Sequence, residues 1–447
     1  MPAPLRARAD ACPGVFAVHD AADGALARIR LPGGTVGAAQ LRALAACAED
    51  LGDGAVHLTS RGNLQLRGLD RDDPELARRL TAAGLLPSPA HERVRNVLAS
   101  PLSGIHGGLA DVRGRAAALD TALCARPGLT ALPGRFLFAL DDGRGDIAAE
   151  EPDVCWRASG PVVGALLVAG TDTGLAVPIA DAVDVLLAAA EAFLLVRGPG
   201  GDGASPAWRA REIPDAAARI AAALGGPEAP VEQGPVRRDR LSHDPAGPDP
   251  DPHDRRLGGA DRENRGCRLP NGDHADGGAG GGTHDGDGLG GTVGRIGTGP
   301  AVGVAPRLGE LSAAGLRLLA GLAPTLIVTP WRTLVLPDPA AGTTPALAAA
   351  GLIVEQGDPA LGVSACAGRP GCAKALADVR AEARTLLDTG ALPGGLRAHL
   401  AGCERRCGAP HGPHADVVAT ADGYRVDGTP VPVAALATTL QQLGGAP

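Results

Sequence analysis

Four of the nine cysteines lie in two close pairs in the last quarter of the sequence. Cys366 and Cys372 are separated by five residues, and Cys403 and Cys407, which follow after thirty more residues, are separated by three. A [4Fe–4S] cluster needs four thiolates that converge on one group of irons, and two short loops with two cysteines each can provide them. The alternative is a structural zinc ion, but zinc knuckles favour two to four residues between paired cysteines, and the first gap here is longer. The spacing therefore predicts an iron–sulfur cluster on these four residues.

The remaining cysteines are scattered along the chain, at Cys12, Cys47, Cys124, Cys155 and Cys267. An odd total with only four clustered members favours metal ligation in a reducing compartment over disulfides. The N-terminal residues lack the apolar core of a secretion signal, and the apolar stretches at 161–170 and 185–196 are too short or too interrupted to cross a bilayer. We therefore expect a soluble, cytoplasmic protein.

Charge excludes one class of partner and favours another. The formal net charge is −8, from 42 Lys+Arg against 50 Asp+Glu, so there is no polycationic face for nucleic acid or an acidic membrane. Lys374 is the only lysine, so arginine carries almost all of the positive charge. Guanidinium groups suit fixed, two-point contacts to carboxylates.

A candidate binding strand lies at residues 57–67, HLTSRGNLQLR. Strand alternation would place Arg61, Asn63, Gln65 and Arg67 on one face and the leucines on the other. This face is a candidate site for an anionic ligand. The alternative is an ordinary half-exposed strand whose polar face meets water.

Five short segments recur in the same order, which predicts a duplicated unit of mixed helices and strands. The pairs are AAQLRALA and AAGLRLLA at 38–45 and 313–320, HLTSRGNLQL and IVTPWRTLVL at 57–66 and 327–336, AAGL at 82–85 and 349–352, LADVR at 109–113 and 376–380, and ALPG at 131–134 and 391–394. The alternative is chance similarity in a sequence rich in alanine, leucine and glycine.

The two copies differ where chemistry is expected. Aligning them on LADVR places Ala99 opposite Cys366 and Ile105 opposite Cys372, so the first copy lacks these cluster ligands. In the second copy, the polar positions of the candidate strand become Trp331, Thr333, Val335 and Pro337. One copy thus carries the cationic face and the other the cluster, which predicts a single site that uses both.

Between the copies, residues 226–299 are crowded with glycine, proline and aspartate and contain few large apolar residues. We interpret them as a flexible linker. A metal-binding loop is the alternative, because His243, His253, His274 and His284 lie there. The expected organisation is a first ferredoxin-like half-domain at 1–90, a first α+β domain without a cluster at 91–225, the linker at 226–299, a second half-domain at 300–356, and a second α+β domain with the cluster at 357–447.

The cysteine quartet, the Thr-x-Arg-x-Asn-x-Gln pattern and the segment RNVLASPLSG at 95–104 resemble the nitrite/sulfite reductase superfamily. The resemblance implies an α+β protein with a duplicated nitrite/sulfite reductase-like fold and a pseudo-twofold repeat. It also implies that the second copy holds the cluster, with Cys407 in the place of the thiolate that bridges cluster and sirohaem iron. By motif position, the substrate-binding residues would be Arg61, Asn63, Gln65, Arg67, Arg95, Asn96 and Arg135.

One position departs from the reductases of this superfamily. Their motif resembles L-P-x-K-F-K, with two lysines, whereas this chain has Arg135 and Leu137 there. Reduction of sulfite or nitrite needs dense positive charge around the substrate, so the loss of the second cation argues against that activity.

Several segments, among them CAGRPGCAKALADVR and GCERRCGAPHGPHADVVAT, are similar to a branch of the superfamily that oxygenates a reduced tetrapyrrole in aerobic cobalamin biosynthesis. This resemblance implies precorrin-3A as substrate, with hydroxylation at C20 and closure of a γ-lactone. It implies O2, an NADH-linked electron donor and a possible mononuclear non-haem iron, for which His411 and His414 are candidate ligands. Carboxylates of the macrocycle would meet Arg61, Arg67, Arg95, Arg135 and Arg332.

Three functions stay open at this point: the tetrapyrrole oxygenase, a sirohaem-dependent nitrite or sulfite reductase, and a non-catalytic electron carrier or zinc-stabilised protein. Only the second requires sirohaem. Which residues are catalytic, and the oligomeric state, do not follow from the sequence.

Overall fold

A computed structural model describes residues 12–197, 207–225, 292–410 and 412–444. These residues form a mixed fold of helices and four five-stranded sheets. Within the described residues, no helix is long and apolar enough to cross a membrane.

The first half-domain is a sheet from the N-terminal region that is completed by a strand from the second copy. Its antiparallel strands are, in spatial order, β1 (His19–Ala21), β2 (Gly24–Ile29), β5 (Leu64–Leu69), β4 (Ala55–Leu58) and β13 (Glu310–Ser312). Two helices belong to this part of the chain, α1 (Ala38–Leu51) and α2 (Glu75–Ala82).

The second half-domain repeats this arrangement with the same strand order. Its strands are, in order, β11 (Gly294–Arg295), β12 (Val302–Val304), β15 (Leu334–Leu336), β14 (Thr325–Val328) and β3 (Thr35–Gly37), with helices α6 (Ala313–Leu322) and α7 (Thr343–Ala349). Each half-domain therefore donates its short strand, β3 or β13, to the sheet of the other. Helices α1 and α6 pack against each other and share one buried core, which includes Leu44 and Leu319.

The two α+β domains also share one topology. The first has the order β10 (Thr171–Pro178), β9 (Val163–Val168), β8 (Val154–Ala158), β7 (Phe138–Asp141) and β6 (Val97–Ala99), with helices α3 (Arg113–Cys124), α4 (Ala182–Val196) and α5 (Ala216–Ala223). The second has the order β16 (Val363–Ala365), β17 (Ala398–Ala401), β18 (Ala415–Ala419), β19 (Tyr424–Val426) and β20 (Thr429–Val431), with helices α8 (Val379–Asp388) and α9 (Leu436–Gly444).

In each domain the first three strands along the chain pair in parallel and the last two pair antiparallel. The duplicated α+β fold predicted from the repeated segments is therefore confirmed.

The end of the predicted linker needs correction. Residues 226–291, with the four histidines that suggested a metal loop, lie outside the described residues. Residues 292–299, however, contain strand β11, and Val293 and Ile296 are buried. The second half-domain thus begins before residue 300, because these apolar side chains belong to its core.

The prediction of one continuous strand over residues 57–67 is wrong. β4 ends at Leu58 and β5 begins at Leu64, so the segment is a hairpin. Thr59 caps the turn, because its Oγ1 accepts hydrogen bonds from the backbone N–H groups of Arg61 (3.3 Å) and Asn63 (3.1 Å). Gly62 has a φ of 60°, a left-handed conformation that suits glycine. Arg61 and Asn63 therefore do not share a strand face with Gln65 and Arg67.

Candidate functional site

A cavity of about 620 Å³ lies between the first half-domain and the cysteine loops of the second copy. The first half-domain contributes His57, Gln65 and Arg67 to its lining, and the cysteine loops contribute Cys366 and Cys407. The predicted meeting of the polar strand with the cysteine loops is therefore present, although the strand is a hairpin. The volume lies in the range of small-molecule and cofactor sites.

The cysteine loops follow the ends of parallel strands. Cys366 directly follows β16 and its backbone N–H donates to the Leu400 carbonyl at 3.0 Å, while Cys403 follows β17 after one residue. The Gly402 backbone N–H donates to the Sγ of Cys366 at 3.1 Å. Backbone N–H groups aimed at cysteine sulfur are among the contacts that tune iron–sulfur clusters.

The four thiols also lie close enough to influence one another. Burial raises the pKa of the Cys407 thiol, and the charges of Cys366, Cys403 and Cys372 raise it further, against a lowering by Arg405. Four thiols that influence one another electrostatically, with a backbone donor on one sulfur, form a donor set whose chemistry fits an iron–sulfur cluster. Ligation of the cluster by these cysteines stays a prediction.

The cavity is lined by more cationic than anionic side chains. Its six arginines are Arg28, Arg67, Arg332, Arg369, Arg380 and Arg384, and its four carboxylates are Asp23, Asp53, Glu310 and Asp378. Some of these groups pair: Asp23 accepts two hydrogen bonds from Arg67, at 2.9 and 3.0 Å, and Glu310 accepts from Arg380 at 2.8 Å. The excess of guanidinium groups suits a ligand with several carboxylates.

Of the predicted substrate-binding residues, Gln65 and Arg67 line the cavity. Arg61 is not among the lining residues, and its Nη1 donates to the carbonyl oxygen of Arg135 at 3.1 Å. Burial and the nearby Arg209 lower the pKa of Arg61 to about 10. Arg61 therefore does not line the cavity, although its charge interacts with that of Arg28, which does.

The other predicted binding residues have local structural roles. Arg95 is buried and pairs with Asp120 through hydrogen bonds of 2.6 and 2.7 Å. The amide of Asn63 accepts from the Leu31 N–H at 2.8 Å, and the amide of Asn96 donates to the Gly134 carbonyl at 2.7 Å. These side chains hold loops together, which their motif position could not reveal.

Arg135 is exposed, and its guanidinium lies 5.3 Å from the centre of the Trp208 ring. Leu137 is 2% exposed and packs with Leu98, Ile147 and Leu167. The position where the reductases have a second lysine is thus part of an apolar core here.

Sequence reasoning missed two arginines at the end of strand β2: Arg28 within the strand and Arg30 directly after it. Arg28 pairs with Gln65 across the sheet and lines the cavity. Arg30 is 3% exposed; burial and the charge of Arg28 lower its pKa to about 10. Its Nε and Nη1 have no hydrogen-bond partner within the described part of the chain. The detectable signal was an arginine at alternate positions of the otherwise apolar strand ALARIR.

The candidate iron ligands are only partly described. His411 lies outside the described residues. His414 is half-buried, and its ring lies edge-on to that of His399, with 6.3 Å between the ring centres. His399 is fully buried; its ring bonds the Ser364 hydroxyl at 2.9 Å. Burial, together with Arg332 and His414, lowers the pKa of His399 to about 4. A mononuclear iron site stays a prediction.

The alignment of the two copies needs a shift of one residue at the first cysteine. The Ser100 N–H donates to the Leu140 carbonyl at 3.1 Å, as the Cys366 N–H does to Leu400. Likewise, the Oγ of Ser100 accepts from the Asp142 N–H at 3.1 Å, as the Sγ of Cys366 does from Gly402. Ser100, and not Ala99, is therefore the counterpart of Cys366. The second copy has one extra residue between this position and LADVR.

Comparison with known proteins supports this reading of the fold. Residues 19–83 match the model of the nitrite/sulfite reductase ferredoxin-like half domain. The NirA protein of Mycobacterium tuberculosis has a similar solved structure, with a TM-score of 0.63 and 20% sequence identity over 90% of this chain and 74% of that chain.

Two kinds of curated relative match in sequence. A ferredoxin–nitrite reductase of Synechococcus elongatus is 39% identical over 140 residues, which span 29% of this chain and 27% of that protein. A precorrin-3B synthase of a Sinorhizobium species is 27% identical over 430 residues, which span 93% of this chain and 82% of that protein.

The matching half domain and the similar solved structure together show a nitrite/sulfite reductase-like fold. The similarity to a precorrin-3B synthase extends over 93% of the chain, which confirms the resemblance to that branch of the superfamily.

Proposed function

We propose that this chain is an oxidoreductase of the precorrin-3B synthase type, which adds oxygen to the reduced tetrapyrrole precorrin-3A. The observation that carries the proposal is the cavity of about 620 Å³, which is lined by two of the predicted cluster cysteines and by six arginines. The match to a precorrin-3B synthase over 93% of the chain supports the same substrate class.

The cavity suits a macrocycle with acetate and propionate side chains. Carboxylates are best held by guanidinium groups, whose donors fit two carboxylate oxygens at once. Arg384 is 48% exposed and pairs with Glu310 at the cavity, so it could exchange that partner for a substrate carboxylate. Arg28 lines the cavity, and the charges of Arg30 and Arg61 interact with it, so the three together add positive potential that attracts an anionic ligand.

In this proposal Cys366, Cys372, Cys403 and Cys407 hold a [4Fe–4S] cluster that supplies single electrons when bound. Two electrons from an NADH-linked donor and two protons reduce one atom of O2 to water, while the other atom enters the macrocycle. The arginines of the cavity bind and orient the substrate through its carboxylates.

Leu137 argues against reduction of a small oxyanion. A reductase of this fold would gain from a second cation there, but the side chain is buried among Leu98, Ile147 and Leu167. A broad apolar ligand places less demand on charge at this position. The nitrite reductase relatives match only 27% of their own length, so they support the reductase alternative less.

The decisive experiment is aerobic incubation of cluster-replete protein with precorrin-3A, NADH and a reductase, followed by the mass of the product. We expect a product that is heavier by one oxygen atom and a protein spectrum with cluster absorbance but without sirohaem bands. A protein that bound sirohaem and reduced nitrite or sulfite would contradict the proposal and establish the alternative.

A matched pair of variants tests whether the arginines that line the cavity bind the substrate. Arg384→Ala removes a cavity arginine, whereas Arg307→Ala removes an arginine that is similarly exposed and paired, with Asp388, but does not line the cavity. We expect Arg384→Ala to raise the KM for precorrin-3A roughly fivefold, as for about 1 kcal/mol of partly exposed ion pairing. Equal KM values for the two variants would contradict a role of the cavity arginines in substrate binding.

A further inference from the structure

Both cysteine loops are bonded to arginines that come from outside their own domain. Nη2 of Arg67, on β5, donates to the carbonyl oxygen of Gly371 at 2.7 Å. Nη2 of Arg332, in the turn between β14 and β15, donates to the carbonyl oxygen of Gly408 at 3.0 Å. Gly371 directly precedes Cys372 and Gly408 directly follows Cys407.

Arg332 has an unusual backbone conformation. Its φ is 59°, in the left-handed region that is unfavourable for residues with a Cβ. The same turn in the first copy has Gly62 there, with a φ of 60°. Thr329 caps the turn as Thr59 does, since its Oγ1 accepts from the N–H groups of Trp331 (3.2 Å) and Thr333 (3.3 Å).

The second copy therefore keeps an arginine where the same turn elsewhere in this chain has glycine. Strained backbone positions of this kind persist when the side chain has a role at a site. Here the side chain lines the cavity and reaches the loop that carries Cys407.

The two glycines leave room for these contacts. A Cβ added at Gly371 would lie 2.9 Å from Nη2 of Arg67 and 3.0 Å from Oδ2 of Asp23, and one added at Gly408 would lie 3.2 Å from Nη2 of Arg332. Asp23 in turn fixes the Arg67 guanidinium with two hydrogen bonds. Each cysteine loop is thus fitted to one guanidinium.

We propose that Arg67 and Arg332 are positioning residues that hold the Cys372 and Cys407 loops at a fixed spacing for the cluster. Each guanidinium also places a positive charge beside a cluster ligand, which favours the reduced cluster, since reduction adds a negative charge. This inference rests on the proposed cluster and adds that the two half-domains, through one side chain each, control its retention and its reduction potential.

The first test is Arg332→Gly, which removes the guanidinium and also relieves the left-handed strain. We expect iron loss to a ferrous chelator to become roughly tenfold faster, in line with the effect of removing outer-shell partners of metal ligands. The midpoint potential of the cluster should become more negative, while the unfolding temperature of the cluster-free protein stays equal or rises. Arg307→Ala, which removes an arginine that bonds Asp388 instead of a cysteine loop, should change neither cluster property.

The second test is Gly371→Ala, which leaves the Arg67 charge in place and displaces its contact, because the new methyl group meets only the ends of two flexible side chains. We expect faster iron loss from Gly371→Ala. The control Gly394→Ala, whose new Cβ would meet no atom within 4 Å, should lose iron at the wild-type rate. If both Arg332→Gly and Gly371→Ala retained iron at the wild-type rate and potential, the inference would be wrong. Absence of a cluster in the wild-type protein would instead overturn the proposed function.

Discussion

The two copies of the repeat place very different loops at the same point of the fold. In the first copy, β7 runs into the loop at residues 141–148, and in the second, β17 runs into the loop at 401–408. Both strands pair in parallel with two neighbours, and Ser100 and Cys366 take equivalent backbone hydrogen bonds. The two loops therefore differ in their side chains, while the strands and backbone hydrogen bonds that position them are the same.

The loop of the first copy is held by its own carboxylate. Asp141 accepts hydrogen bonds from four backbone N–H groups, those of Gly143 (2.9 Å), Gly145 (2.9 Å), Ile147 (3.1 Å) and Ala148 (2.8 Å). The equivalent position in the second copy is Ala401, which has no carboxylate to offer. The loop of the first copy is thus held by its own carboxylate, whereas the loop of the second copy presents cysteines that a bound group could organise.

The largest effect is expected where the second copy is made to resemble the first. Cys403→Ser should abolish iron and acid-labile sulfide, because a cubane needs four thiolates. Cys124→Ser, in helix α3 of the first copy, is the control and should keep both. Iron and sulfide per chain, with the visible spectrum, measure the outcome. Full retention of the cluster in Cys403→Ser would refute the ligand assignment.

The next effect concerns the first copy alone. Leu137→Lys puts an ammonium group into the core formed with Leu98, Ile147 and Leu167, which we expect to cost about 3 kcal/mol or more. A clear fall in the unfolding temperature should accompany impaired precorrin turnover, with no nitrite or sulfite reduction. Leu137→Met, of similar volume, is the control. Measurable oxyanion reduction by the lysine variant would show that this position faces a reductase-type site.

The comparison also shows what the sequence could predict. The duplication and the separation of the cysteines from the polar strand were readable, because identical segments such as LADVR lie at equivalent places in both copies. The exchange of β3 and β13 was not, since strands of three residues carry no periodic signal and their partners lie more than 250 residues away.

The binding residues were harder to predict than the ligands of the cluster. Alternation predicted a continuous strand at 57–67, but Thr59 and Gly62 make a turn there. Arg95 belonged to a family motif, yet its guanidinium is occupied by Asp120. Whether a polar side chain faces a cavity or an internal partner depends on tertiary contacts, which no local pattern contains.

A smaller effect should follow from the acidic loop of the first copy. Burial, together with the nearby Asp141, raises the pKa of Asp146 to about 7, although the Ser100 hydroxyl acts in the lowering direction. Because this carboxyl group is protonated in the folded state up to that pH, its contribution to stability is complete below about pH 4. That contribution is lost as the pH rises through about 7.

Asp146→Asn tests this directly, because asparagine keeps the size of the protonated acid. The variant should gain stability relative to wild type as the pH rises from 5 to 8, by up to about 3 kcal/mol at 1.36 kcal/mol per pKa unit. Unfolding temperatures of both proteins across this range measure the difference. A gap that does not change with pH would show that Asp146 is ionised throughout.

The smallest effect is expected from giving the first copy one thiol, with Ser100→Cys. The Oγ of Ser100 donates to Oδ1 of Asp146 at 2.6 Å and accepts from the Asp142 N–H, and a thiol makes both bonds more weakly. We expect the free energy of unfolding to fall by about 1 kcal/mol. The pKa of Asp146 should rise further, because its ionised form loses a hydrogen-bond donor. Iron content should not increase, since the positions equivalent to the other ligands carry no thiols and Asp141 already holds the loop.

Iron per chain and the pH dependence of unfolding measure the two effects, with Ser103→Cys as a control that lies outside the Asp146 contact. If Ser100→Cys bound additional iron, the first copy would need only one residue to become a metal site, and the distinction drawn between the two loops would be wrong.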